Sequence, residues 1–348
     1  MNYKSLLIDK SITIKDTVKA LDRGAKKVVI VTEYDKLVGI VTDGDIRRWI
    51  LKNGDLKENV SKVMNDSPVY LDYIYKDNAK KVMIDKSIEC LPLVDDKKRV
   101  VDIVFLNNGL NSNNFEKIDV PVVIMAGGQG TRLYPYTKIL PKPLIPIEDI
   151  PIVERIINRF NGYGCKSFYL TVNYKKNMIK AYFNEIDRDY DVFYIEEEKP
   201  LGTGGSLHLL KDKLNETFFV SNCDILIDAN YSDIIKYHKE HNNKITVITS
   251  LKNYTIPYGV INLSENGDIS STKEKPEYNF LVNTGMYVLE PDVLEDIPEN
   301  EFYHITYLID KYIEEGKKVG TYPITENCWL DMGEFKEMER MVEKIGFK

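Results

Sequence analysis

Three glycines, an arginine and a lysine set the chemistry of this chain. They sit in Met125-Ala-Gly-Gly-Gln-Gly-Thr-Arg132-Leu-Tyr-Pro-Tyr-Thr-Lys-Ile-Leu-Pro-Lys142-Pro-Leu-Ile-Pro-Ile147. The apolar run just before, Val120-Pro-Val-Val-Ile124, reads as a buried strand. Ala126, Gly127, Gly128, Gly130 and Thr131 then form a loop. Glycine lets backbone approach a phosphate closely, and successive N–H groups cradle anionic oxygens. Arg132 ends that loop with a rigid, permanently charged fork. Lys142, between Pro141 and Pro143, adds a point charge. Such a set handles polyphosphate.

Two commoner glycine loops are excluded. A P-loop requires Gly-Lys-Ser/Thr after its spacer, which is absent. The dinucleotide fingerprint requires a last glycine where Leu133 stands. The string from Ala126 to Pro146 instead resembles the signature of sugar-1-phosphate nucleotidyltransferases. The resemblance runs from about Val120 to the C-terminus through further segments in order: Pro200-Leu-Gly-Thr-Gly-Gly-Ser-Leu207, Val220-Ser-Asn-Cys-Asp224, Tyr258-Gly-Val-Ile-Asn262, Lys273-Glu-Lys-Pro276, Asn283-Thr-Gly-Met-Tyr-Val288 and Trp329-Leu-Asp-Met-Gly-Glu334.

That resemblance implies an enzyme in which a sugar 1-phosphate oxygen attacks the α-phosphorus of a nucleoside triphosphate and pyrophosphate leaves. Both partners are anions, so positioning and charge neutralisation dominate, and no activated serine or cysteine is needed. It implies Asp224 and Asp331 as ligands of Mg²⁺, an ion that keeps several waters and takes phosphate oxygens. It further implies Arg132 on the leaving pyrophosphate, Lys142 and Lys275 on the transferring and sugar phosphates, Glu274 on sugar hydroxyls, and Gly259 and Asn283 lining the sugar pocket. The base falls to Glu196-Glu-Glu-Lys-Pro-Leu-Gly202, with Glu197 where relatives that take thymine or uracil carry glutamine. A carboxylate only accepts hydrogen bonds, and guanine offers two adjacent donors. GTP is therefore the expected nucleotide; the plainer reading leaves Glu197 solvated in an acidic run. For the sugar, the residues alone choose none; the resemblance implies α-D-glucosamine 1-phosphate first. Mannose or heptose 1-phosphate, and a dTTP- or UTP-using enzyme, stay open.

Two rivals come from other classes. A catalytically dead nucleotide sensor is expected to lose the charged residues that this chain keeps. A glycosyltransferase is expected to show Asp-x-Asp where Asn222-Cys-Asp224 stands.

These side chains need a scaffold. Strands are predicted at Val122–Met125, Ser167–Val172, Val192–Ile195, Phe218–Ser221, Lys244–Thr249 and Val319–Pro323, and helices at Ile152–Tyr163 and Tyr231–His241. Apolar runs alternating with helical patterns predict an α/β domain over residues 119–348. The resemblance implies a Rossmann-like, mostly parallel sheet with ligands at the carboxyl ends of its strands. A short amphipathic helix is expected over Lys336–Phe347. No left-handed β-helix repeats, and so no acetyltransferase domain, are expected to follow.

Residues 1–110 carry a weak internal repeat, about 1–64 and 65–110, each with a helical segment and two strand-like runs. Gly39-Ile-Val-Thr42-Asp-Gly-Asp45-Ile-Arg47 resembles the signature of a tandem CBS (Bateman) module. The resemblance implies an α+β regulatory unit with a nucleotide at Thr42 and Asp45. The alternative is that Asp45 simply caps the following helix. The second repeat departs from the pattern: Asp102, Phe105 and Asn108 stand for Gly39, Thr42 and Asp45. Residues 111–118, in a stretch rich in turn formers, are expected to link the domains. A dimer through paired modules is the expected assembly.

A net charge of -7 argues against nucleic acid as a partner. No apolar run reaches the roughly 20 residues that span a bilayer, and the N-terminus lacks the apolar core of a signal peptide. The four cysteines, Cys90, Cys165, Cys223 and Cys328, form no Cys-x-x-Cys and are expected to be free thiols in the cytoplasm.

Overall fold

The computed structural model describes residues 3–24, 27–86, 88, 90–105 and 116–346. The chain divides into two compact units, Met1–Asn113 with Thr325–Asn327, and Asn114–Ile324 with Cys328–Lys348.

The first unit is built twice over. Strands Leu7–Asp9, Val28–Glu33 and Lys36–Thr42 form one sheet, and Leu71–Asp72, Cys90–Val94 and Val100–Phe105 form another. In each, the first pair is parallel and the second antiparallel. Each antiparallel pair slips register near one end, at Val31/Thr32 and at Leu93/Val94. Val31 faces Gly39 as Leu93 faces Asp102, and Val28 faces Thr42 as Cys90 faces Phe105. Leu6, Ile30 and Leu37 share one buried cluster with Val94, Val100 and Ile103, so each repeat completes the other's core. Asn108 and most of the expected linker lie outside the described residues.

Thr42 ends its strand and is the N-cap of helix Asp43–Leu51; Asp45 is the third helical residue and not, as the sequence suggested, the cap. The Asp45 amide donates to Thr42 Oγ1 at 3.3 Å, the Thr42 amide to Asp45 Oδ2 at 2.8 Å, and the Thr42 hydroxyl to that same oxygen at 2.6 Å. Asp45 Oδ1 pairs with Arg48. This is a capping box. Replacing Thr42 with alanine is expected to cost about 1 kcal/mol, seen as a lower urea midpoint for this unit.

The second unit is built on a seven-stranded sheet in the order Asp191–Glu196, Ser167–Val172, Val122–Met125, Phe218–Asn222, Glu277–Leu289, Ile245–Thr255, Val319–Thr325. The first four strands are mutually parallel. Glu277–Leu289 runs antiparallel to both its neighbours, so Ile245–Thr255 points with the parallel set. Val122 and Ile124 enter one buried cluster and Val123 another. Alternate side chains face opposite ways, so a strand covered on both faces reads as continuously apolar. Helices Ile152–Gly162 and Tyr231–Glu240 contribute to the first cluster, and helix Ile305–Glu314 to the second. The C-terminal helix is Phe335–Gly346; Phe347, included in its predicted span, lies outside the described residues.

The sequence missed the long ladder. Ile245–Thr255 runs well past the predicted end at Thr249, because it pairs with Glu277–Leu289 as far as Thr255 opposite Glu277. Beyond it lies an exposed hairpin, Val260–Leu263 with Ile269–Lys273. Helices Lys176–Glu185 and Ile305–Glu314 were also not predicted.

Candidate active site

Met125 ends the Val122–Met125 strand opposite Thr171 on one side and Asn222 on the other. Three parallel strands thus present their carboxyl ends together, where the sheet no longer uses all its backbone groups. Ala126 is fully buried, and its N–H donates to Thr171 O at 2.9 Å, so it anchors the loop. Gly127 packs on Glu197: a Cβ there would meet Glu197 Oε1 at 2.7 Å. Gly128 has open space on that side. Gly130 has φ +65°, and a Cβ would fall 2.9 Å from Thr137 and 3.1 Å from Lys142, so a residue free of both limits is required.

That turn delivers Thr131 and Arg132 in a short helix pinned by the buried Leu133. Lys142 follows on another single turn, 9% exposed, and its ammonium pairs with the Asp224 carboxylate. Asp224 lies between Phe218–Asn222 and a short strand, Ile225–Ile227, which pairs with Trp329–Asp331. In that ladder Ile225 faces Asp331, and the Met332 N–H donates to Asp224 O at 2.8 Å. The two carboxylates are therefore neighbours held by backbone. Desolvation, then the Asp224 charge, holds the Asp331 carboxyl above its ordinary range. The Gly333 N–H donates to Asp331 Oδ1 at 2.7 Å, and Arg132 reaches within 3.5 Å of where a Gly333 side chain would begin.

A cleft of about 420 Å³ opens here, a size suited to a small-molecule ligand. Gly127, Gly128, Gly130, Thr131, Arg132, Lys142, Glu197, Gly202 and Asp224 all line it. Asp331 borders it through Gly333 and its Asp224 neighbour.

Glu197 is not a solvated member of the acidic run. Glu196 points to solvent and pairs with Lys176 and Lys180, whereas Glu197 is only 6% exposed. Its Oε2 accepts the Leu201 N–H at 3.1 Å. Burial raises its carboxyl above the ordinary value, only partly offset by the Leu201 amide and the Thr171 hydroxyl.

Ala126, fully buried, does not line the cleft, and neither do four other expected residues. Glu274 and Lys275 follow the exposed hairpin, and Gly259 precedes it. A Cβ on Gly259 would lie 3.0 Å from Glu274 Oε2, so those two adjoin. Asn283 sits in the long ladder opposite Thr249; its amide donates to the Tyr287 hydroxyl at 2.8 Å and accepts the Gly285 N–H at 2.9 Å. Conversely, Phe302 and His304, which are not among the expected site residues, line the cleft beside Gly202 and Thr203. No chemical motif marks Glu301-Phe-Tyr-His304.

Among the described residues no group of three or more His, Cys, Asp or Glu side chains is gathered as a metal site. The protein offers two carboxylates. Asp224 is already compensated by a cation, and Asp331 is raised by desolvation and then by its neighbour's charge, so the pair fits a divalent ion that takes its remaining ligands from phosphate and water.

A nucleotidyl transferase family model matches residues 121–346, and a CBS domain model matches residues 1–52. The chain belongs to the nucleotidyl transferase family. It is 31% identical over 222 residues to the mannose-1-phosphate guanylyltransferase catalytic subunit beta of Drosophila pseudoobscura pseudoobscura, covering 62% of this chain and 59% of that protein. It is 34% identical over 220 residues to the bifunctional protein GlmU of Methanococcus maripaludis, covering 61% and 51%. The chain thus spans about half to three fifths of the length of these curated relatives. The crystal structure of HddC from Yersinia pseudotuberculosis shares the fold at a TM-score of 0.52 and 24% identity, over 65% of this chain and 99% of that one. A second HddC structure, complexed with GMP-PN, matches at a TM-score of 0.51 and 22% identity.

Proposed function

We propose that this nucleotidyl transferase moves a nucleoside monophosphate from GTP onto a hexose 1-phosphate and releases pyrophosphate. One observation carries the reading. The glycine loop, Arg132, Lys142 and Asp224 line the same cleft as the buried acceptor Glu197. Phosphate-handling cations and a base-reading carboxylate thus share one cleft.

In this reading the loop amides from Gly127 to Thr131 and the Arg132 guanidinium hold the triphosphate, and Arg132 takes the charge that grows on the departing pyrophosphate. Lys142 holds the transferring phosphoryl group. Asp224 and Asp331 would hold Mg²⁺, which neutralises phosphate charge when bound. Glu197 accepts from the guanine N1–H and N2 amine. Lys275, Glu274, Gly259 and Asn283 serve the sugar phosphate and hydroxyls. The sugar is α-D-glucosamine 1-phosphate in our first reading. Mannose 1-phosphate is the second, favoured by the guanylyltransferase names of relatives such as the Drosophila subunit. In the N-terminal unit, the capping box already occupies both Asp45 oxygens. We therefore assign Thr42 and Asp45 a cap role, and the unit a role in assembly, as a dimer, or in regulation.

Pyrophosphate release with Mg²⁺, across GTP, ATP, UTP, dTTP and CTP against glucosamine, mannose and glucose 1-phosphates, tests the proposal. Turnover confined to another nucleotide removes the guanine reading. No turnover from folded protein removes the enzymatic one.

Glu197→Gln is expected to lower kcat/KM for GTP by about 10–100-fold, because the amide turns a donor toward guanine's donors. Protonation acts in the same sense. The Glu197 carboxyl is raised by burial, and guanine needs it ionised, so GTP binding should weaken as pH falls and should release protons near that raised value. Calorimetry in buffers of different ionisation enthalpy reads the release; its absence would remove Glu197 from the base contact.

A further inference from the structure

The cleft has a wall that the proposed function leaves unused. Segment Glu301–His304 is clasped onto the turn that follows Glu197. The Tyr303 N–H donates to Leu201 O at 2.9 Å, and Tyr303 O accepts from Gly204 and Gly205 at 2.8 and 3.0 Å. The glycines make this approach possible. A Cβ on Gly205 would lie 2.4 Å from Glu301 O, and one on Gly202 would lie 2.7 Å from Tyr303 O. Gly202 also has φ +77°, so both its conformation and its surroundings select glycine.

The clasp sets two rings at the cleft, of which Phe302 is the more exposed. Phe302 lines it and is 59% exposed, whereas Ile305, just beyond, is 2% exposed. The Phe302 ring lies against Gly202, with Cε2 3.4 Å from where a Cβ would start. The His304 ring braces it at 4.8 Å between centroids and 83° between planes; Tyr307 braces His304 at 5.3 Å and 75°. Such edge-to-face contacts fix ring orientation. Leu201, whose N–H donates to Glu197, directly precedes Gly202, on which Phe302 rests. One short turn therefore carries an edge-reading carboxylate on one side and an open aromatic face on the other.

We propose that Phe302 is the stacking surface for the nucleobase, with His304 as the residue that positions its ring. The inference rests on the reading of Glu197 as the group that meets the base edge. A planar base is a ligand that can use a hydrogen-bond acceptor at its edge and an aromatic ring on its face together. Stacking of this kind tolerates any base. Phe302 therefore supplies affinity for the nucleoside, while Glu197 supplies the choice among bases.

The test is calorimetric titration of the full chain with GTP, with ATP, and with inorganic tripolyphosphate as a ligand that has no base. Phe302→Ala is expected to weaken GTP about tenfold, within the range of aromatic stacking on a base, and to leave tripolyphosphate unchanged. Phe302→Trp should bind GTP at least as well as the parent. Unchanged GTP affinity in Phe302→Ala would overturn the proposal. So would an equal loss for tripolyphosphate, which would mean that the side chain only props the cleft open. Glu197→Gln in the same titrations separates the two readings. If it fails to alter the GTP-to-ATP preference while Phe302→Ala still weakens both nucleotides, the edge contact is wrong and the stacking stands.

Discussion

Asp331→Asn is expected to lower kcat/KM about a thousandfold while leaving the folded protein as stable as before, or slightly more so. The activity loss follows from the assigned role. A metal ligand contributes several kcal/mol to charge stabilisation, and about 1.36 kcal/mol is tenfold in rate. The stability result follows from electrostatics. The Asp331 carboxyl is raised above its ordinary range by desolvation and then by the Asp224 charge. A carboxyl raised in the folded state makes the fold lose stability as pH climbs from that ordinary value through the raised one. The amide removes this loss, and its oxygen still accepts the Gly333 N–H that Asp331 Oδ1 accepts at 2.7 Å. The melting temperature of the variant should therefore gain on the parent between acid and neutral pH. Asp224→Asn should abolish turnover equally but behave oppositely in melting, because it leaves the Lys142 ammonium buried without its carboxylate. Equal melting changes in the two variants would refute the asymmetry.

How much of this was legible in the sequence depends on how local the determinants are. The Val122–Met125 strand and the loop after it lie in one contiguous string, and both strand and glycines appear where that string places them. Asp224 and Asp331 come from distant segments. Their adjacency depends on a ladder of only three residue pairs, too short for periodicity to predict. Glu197 was named, but its burial was hidden by its acidic neighbours. Lys176 and Lys180, which hold Glu196 outside, lie on a helix that the sequence reading omitted. Phe302 was illegible for a different reason. Its position is set by hydrogen bonds from glycines about a hundred residues earlier, in a segment whose own composition is that of an ordinary aromatic-rich loop. The Asn283 segment is a different case. Its string reads as a loop, yet it lies in the middle of the Glu277–Leu289 strand, where contacts with Tyr287 and Gly285 fix the orientation of the asparagine amide.

Lys142→Met should be the most damaging single change, because it strikes activity and stability through one contact. The Lys142 and Asp224 side chains are 11% and 14% exposed, and each is the other's ion-pair partner. Removing one member of such a pair strands the other charge in a poorly solvated place, at a cost of about 3–5 kcal/mol. The methionine fills the volume of the lysine stem, so the loss measures charge and not a cavity. Turnover should fall about a thousandfold together with it, since the ammonium also holds the transferring phosphoryl group in the proposed reaction. The two losses are separable. A divalent cation can take the place of the ammonium against Asp224 and Asp331, so Mg²⁺ should restore part of the melting temperature of Lys142→Met, and more than it adds to the parent, by simple mass action. It should not restore turnover, because an ion bound at the carboxylates does not place a positive donor on the phosphoryl group where Lys142 stood. Lys142→Arg tests the geometry: it keeps the charge and should keep most of the stability. Its planar fork cannot reproduce a single ammonium between two prolines, so kcat should still fall. A Lys142→Met protein that melts with the parent would show that the ion pair contributes nothing to the fold. One that turns over normally would remove Lys142 from the reaction.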